Sequence, residues 1–206
     1  MGTGNSRVHV DLHACFVLHR HPYRETSLLL ELYSAVHGRL PLVARGARRP
    51  RSPWRTLLEP FRPLQIAWSG RGEVGTLVAA EPEGLAPALH GHTLACAFYL
   101  NELLLRLLPR HDPAPELFAR YQDTLAALPD PAREQPALRL FELTLLESLG
   151  YGLCLDREIA DGAAIDAGVV YRYCADAGPR RQAPTGTSSV EVSGATLLAL
   201  ARGRPE

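Results

Sequence analysis

The sequence predicts an α+β protein in which a small five-stranded barrel over residues 1–81 is followed by a helical domain over residues 82–206. Three observations predict it. Up to residue 81 the apolar residues fall in short segments cut by turn residues, several of them with the alternate spacing of strands. From Leu85 onward they recur at helical spacing in longer leucine-rich runs. The charge divides at nearly the same place. Residues 1–75 hold 11 Arg against 5 Asp plus Glu, a net +6, and residues 76–206 hold 11 Arg against 17 acids, a net −6. The formal net charge of zero therefore conceals two halves suited to different partners, the first of them to a polyanion.

Val8 to His19 places Val8, Val10, Leu12, Ala14, Phe16 and Leu18 at alternate positions, a strand with one buried face that His21-Pro22-Tyr23 breaks. Thr26 to Ala35 is a short apolar second strand, closed by the turn His37-Gly38, and Leu40 to Ala44 is a third. Leu57 to Ser69, with Leu64, Ile66 and Trp68 alternating, is a fourth, and Thr76 to Ala80 makes a fifth before Glu81-Pro82. Between the third and fourth lies Val43 to Arg55, where Gly46, Pro50 and Pro53 predict an irregular, exposed loop. Five short strands with one basic loop fit a closed barrel of the oligonucleotide-binding (OB) type.

In the second half, Leu94 to Leu108 is apolar nearly all round and predicts a buried central helix, ended by Pro109. Pro113 to Leu128 is a second helix with Asp112 as its cap, and Pro131 to Leu149 a third with Gly150 at its C-terminus. The pattern weakens beyond Gly152, becomes polar over Gln182 to Ser189, and returns as a helix from Val192 to Ala201 with Ser193 as cap.

Several function classes find no support in the residues. No apolar run approaches the roughly 18 to 20 residues of a membrane span, and Met1 to Asn5 leads into strand-like sequence without a signal-peptide core, so a cytoplasmic protein is expected. Cys15, Cys96, Cys154 and Cys174 form no C-x-x-C pair, and Cys15 and Cys96 read as core residues. The pairs His19 with His21 and His90 with His92 lack nearby carboxylates or thiols, so no metal is expected. Gly70 to Gly75 matches G-x-G-x-x-G, but a short strand follows where a dinucleotide site needs a helix, and a hairpin turn is the better reading. Neither a phosphate loop nor a serine elbow is present, and an enzyme is not expected.

The basic loop carries the chemistry. Arg45, Arg48, Arg49, Arg51 and Arg55 have no acidic residue among them, and a polyanion threaded through such a cluster is bound as its counterions leave. Arg39 and Arg24 extend the track. Trp54, and less directly Tyr23, offer a face on which unpaired bases stack, a contact worth about 1–3 kcal/mol per base; an indole folded back on the barrel is the equal alternative for Trp54. Phosphate contacts position without specifying sequence, so many sequences should bind alike.

Glu25-Thr26-Ser27, His37-Gly38-Arg39, the run from Ala44 to Ser52 and Leu57-Leu58-Glu59-Pro60-Phe61 resemble the N-terminal barrel of the bacterial recombination mediator family RecO. Tyr99 to Leu104, Leu140 to Leu146 with Leu149-Gly150-Tyr151-Gly152, and Ser193 to Ala201 resemble, in order, its helical half. The resemblance implies a cytoplasmic, nucleoid-associated DNA-repair protein that binds single- and double-stranded DNA, anneals complementary strands without ATP and helps load recombinase. RecR and the acidic C-terminal tail of the single-stranded-DNA-binding protein are its implied partners. Leu103, Arg106, Leu107 and Arg110 combine apolar and cationic character suited to that tail, with ordinary packing as the other reading. Many relatives carry a four-cysteine zinc module where only Cys154 and Cys174 stand here, so the module reads as degenerate, and the stop at Glu206 reads as a truncation. A second functional reading is an adaptor whose basic barrel holds acidic protein tails without touching DNA.

Overall fold

The computed structural model describes residues 8–70, 72–174, 178–181 and 188–203. The chain forms two compact units, Met1–Pro129 and Asp130–Glu206. In the first, β1 (Val8–Tyr23), β2 (Ser27–Ser34), β3 (Gly38–Ala44), β4 (Leu64–Gly70) and β5 (Gly75–Pro82) close a barrel in the order β1-β2-β3-β5-β4. All pairs are antiparallel except β3 with β5, which meet in parallel over Leu42 and Val43 only. Alternation sets the interior: Cys15, Val17, Leu28, Leu30, Leu32, Leu40, Leu42, Leu64, Ile66, Trp68 and Leu77 pack in one cluster. Burial pushes the Cys15 thiol up to about 12, so it is an inert core group.

Two strands differ from the sequence reading. In β1 the register shifts between Val10 and His13, so Cys15 and Val17, rather than Phe16 and Leu18, face the barrel core, and Leu12 is exposed. β1 runs through Pro22, which pairs with Leu28. Pairing with β4 ends at Cys15, so Pro22 lies where one edge of β1 has no neighbouring strand among the described residues and a missing N–H costs no ladder bond. β4 begins only at Leu64. Residues 57–63 instead complete a short helix, α1 (Trp54–Leu57), and a turn in which Phe61 takes φ 66°, because Pro60 and Pro63 withhold donors from a ladder.

Part of the outward face of β1 and β2, at Phe16, Leu18 and Tyr33, is also buried. Phe16 and Tyr33 stack on Phe118 and Tyr121 of α3 (Pro115–Ala127) with ring centroids 5.1–6.0 Å apart. Asn101, in α2 (Gly91–Leu107), donates to the Leu18 carbonyl at 2.8 Å and accepts from the Tyr121 hydroxyl at 2.6 Å. This packing places α2 and α3 in the compact unit of the barrel, whereas composition alone draws the boundary at residue 81. Contrary to expectation, α2 is not buried all round: Ala97, Leu100, Asn101 and Leu104 form its buried stripe, while Phe98, Tyr99 and Leu107 are exposed. Cys96 is half-buried, its sulfur 3.5 Å from His92 Nε2, rather than a core residue. Asp112 does not cap α3; Ala114 holds that position and no side chain bonds there.

In the second unit, α4 (Pro131–Ser148) is capped by Asp130, which accepts from Ala132 N–H, and Gly150 follows at φ 82°. A three-stranded sheet, unforeseen in the sequence, has the order β7 (Gly178–Arg180), β6 (Val170–Cys174), β8 (Val190–Ser193). Its strands are three to five residues long, too short for periodicity to register. Leu155, Ile165, Tyr171 and Leu197 form its core, and buried Glu158 pairs with Arg181 at 2.8 Å. α5 (Gly194–Ala201) starts at the expected cap, Ser193, which accepts from Thr196 N–H. Most of the polar run Gln182 to Ser189 lies outside the described residues.

One cluster in the barrel makes stability depend on pH. The rings of His13 and His37 lie 5.0 Å apart, and His37 stands edge-on to buried Trp68 at 4.8 Å. Burial, and then the neighbours His13 and His111, hold the His37 imidazole below its ordinary range. The fold thus prefers neutral His37. Its contribution is intact above the unfolded value of about 6.5 and is lost as pH falls from there through the folded value. Urea midpoints should fall between pH 8 and pH 5.5, and His37→Gln should reduce that fall; an equal fall in the variant would assign the acid sensitivity elsewhere.

Candidate nucleic-acid interface

β3 leads at Ala44 into the arginine loop, which is more ordered than its prolines and glycine suggest. Arg49 N–H donates to Gly46 O at 3.1 Å, Ser52 N–H to Arg49 O at 3.0 Å and Arg55 N–H to Ser52 O at 3.3 Å, so the chain winds through successive tight turns into α1. Ala47 and Leu58 are fully buried in the barrel core and fasten both ends. A small apolar residue between arginines is the sequence sign of this anchor. With the backbone turned in, the side chains of Arg45, Arg48, Arg49, Arg51 and Arg55 are all exposed.

The guanidinium groups of Arg45, Arg49, Arg51 and Arg55 have no ion pair or hydrogen bond among the described residues, and four uncompensated cations on one turn-rich ribbon raise a positive local potential. Arg45, Arg49 and Arg51 line an open groove of about 350 Å³ with Gly46, Ser52, Pro53 and Trp54. Trp54 packs against the barrel core and remains half-exposed in that groove. The indole is therefore folded back, with its accessible part beside three guanidinium groups.

The remaining site residues separate. Arg48 turns towards the β1–β2 turn, where its Nη1 lies 3.4 Å from the carbonyls of both Arg24 and Glu25. Arg24 itself is exposed at φ 51°, its guanidinium 5.3 Å from the centre of the Tyr23 ring. Arg39 is not brought to the loop. It lies near the opposite end of β3, where its guanidinium donates to the Leu105 carbonyl in the last turn of α2 and helps satisfy that helix end. Leu103, Arg106 and Leu107 share one stripe of α2, with Leu107 exposed and Arg106 in an exposed pair with Glu102 at 2.7 Å. Arg110 is committed to the largely buried carboxylate of Glu31.

Sequence comparisons agree with this architecture. Residues 12–85 match the family model for the recombination protein O N-terminal region, and residues 89–203 match that for its C-terminal region. The chain is 51% identical over 195 residues to a DNA repair protein RecO of Methylococcus capsulatus, covering 95% of this chain and 78% of the relative. It is 54% identical over 188 residues to a DNA repair protein RecO of Alkalilimnicola ehrlichii, covering 90% and 74%. With a closed OB barrel followed by helices, and family matches over nearly all of its length, the chain belongs to the RecO family of DNA repair proteins.

Proposed function

We propose that this protein binds DNA through its arginine loop without sequence preference and anneals complementary strands by neutralising their phosphates. The observation that carries the reading is the group of four uncompensated guanidiniums, Arg45, Arg49, Arg51 and Arg55, three of them around a half-exposed indole. Phosphates are common to single and double strands, so the loop accepts both. Trp54 adds a stacking face only for unpaired bases, which favours single strands. Reducing the repulsion between two strands while leaving base edges uncovered promotes pairing, and this needs neither ATP nor a covalent step. The protein acts as a non-enzymatic mediator. Recombinase loading with RecR, docking of the acidic tail of single-stranded-DNA-binding protein near Leu103, Arg106 and Leu107, and action at the bacterial nucleoid complete the proposal; they rest on the family.

The test is equilibrium binding of a fluorescent single strand at several salt concentrations. The variant with Arg45, Arg49, Arg51 and Arg55 changed to alanine should lose about 3 units from the slope of log affinity against log salt, at roughly 0.7 per single-strand phosphate contact. A parent protein that binds no DNA at low salt would leave the loop as a holder of acidic protein tails.

A further inference from the structure

Arg48 differs from its neighbours in having its guanidinium occupied. Its Nη1 lies 3.4 Å from both the Arg24 and the Glu25 carbonyl, and its backbone N–H donates to Thr26 O at 2.8 Å. These three acceptors are successive residues of the β1–β2 turn, and neither the Arg24 nor the Glu25 carbonyl takes a backbone donor in a turn or loop among the described residues. Arg48 thus fastens the arginine loop to a turn more than twenty residues earlier in the chain. The same turn carries Arg24, an exposed cation in left-handed backbone lying over Tyr23.

The geometry points to Arg48 as a positioning residue rather than a phosphate contact: it holds the arginine loop against the β1–β2 turn, so that Arg24 and the loop cations form one continuous row. The inference rests on the DNA-binding reading of the loop, and it makes Arg24 a contact. Both contacts come from the one terminal nitrogen Nη1, which stands one bond farther from the backbone than a lysine ammonium, so with both carbonyls already at 3.4 Å a lysine falls short of them. Charge and positioning therefore separate in Arg48→Lys, which keeps the one and loses the other.

Two measurements on the full chain decide it, both made well below the unfolding temperature. In single-strand binding against salt, Arg48→Lys and Arg48→Ala should both lose about 1.4 units of slope or more, equivalent to two or more contacts at roughly 0.7 each, because the whole loop loses its setting. Arg24→Ala should lose about 0.7. Without DNA, trypsin should cleave after Arg45, Arg51 and Arg55 several-fold faster in both Arg48 variants and at the parental rate in Arg24→Ala. Parental slope and cleavage in Arg48→Lys would overturn the inference, as would an unchanged slope in Arg24→Ala. A parent that fails to bind DNA would sink the nucleic-acid reading alone, since the cleavage rates still judge whether Arg48 orders the loop.

Discussion

Tyr121→Ala is expected to destabilise the first unit by about 3–5 kcal/mol, the range for removing a large buried aromatic. Tyr121 is fully buried, its ring is 5.1 Å from that of Phe16 and 6.0 Å from that of Tyr33, and its hydroxyl donates to Asn101 Oδ1 at 2.6 Å. Burial raises the pKa of this hydroxyl well above the ordinary tyrosine range, so it remains a neutral donor at any working pH. Alanine opens a cavity and strips Asn101 of a partner in the same step. Tyr121→Phe keeps the ring and loses only the bond, so roughly 1–2 kcal/mol is expected. Because α3 supplies the ring and β1 and β2 supply its neighbours, barrel and helices should unfold together. Indole fluorescence from Trp54 and Trp68 and far-ultraviolet dichroism should shift to the same lower urea midpoint. Dichroism moving alone would show that the helices unfold independently of the barrel.

Gly38→Ala should cost roughly 3 kcal/mol or more. Gly38 opens β3 at φ 64°, where an L-residue pays about 1–2 kcal/mol, and an added Cβ would stand 2.2 Å from the Asp112 carbonyl oxygen and 2.6 Å from its carbon. That neighbour is backbone and has no flexible end to swing aside. The residue beside it, Arg39, accepts from His111 N–H at 2.9 Å and donates to Leu105 O, so the displacement would also loosen the end of α2. Gly84→Ala is the control. It has φ 77° with nothing within 4 Å of the added atom and should show the conformational cost alone. Equal losses in the two variants, measured by urea unfolding, would remove the close approach as the cause.

Much of the barrel was legible because strand alternation is a local property. Leu64, Ile66 and Trp68 declare an inward face before any partner strand is known, whereas the run from Leu28 to Leu32 marks a strand by its apolar length and following turn, and pairing selects Leu28, Leu30 and Leu32 as its inward side. Phe16, read from the sequence as part of the inward face, instead turns outward with Tyr33, and the α3 residues that cover both lie some hundred positions along the chain, beyond the reach of a local pattern. Asn101, a lone amide in a leucine-rich helix, was the available signal that this stripe meets something polar, here the Leu18 carbonyl at the edge of the barrel.

For the arginines the division is sharper. Their clustering between residues 45 and 55, without an acid, belongs to the sequence by itself, because it depends on composition alone. Which of them remain uncompensated was decided by the tertiary structure. Arg39 finds a carbonyl 66 residues away, Arg48 two carbonyls 23 and 24 residues away, and Arg110 a carboxylate 79 residues away. Trp54 was undecided between solvent and barrel until Ala47 and Leu58 were seen to draw the loop into the core. Periodicity and composition report which residue types face one side of a local segment; the partner of a long charged side chain is set by segments distant in the chain and near in space.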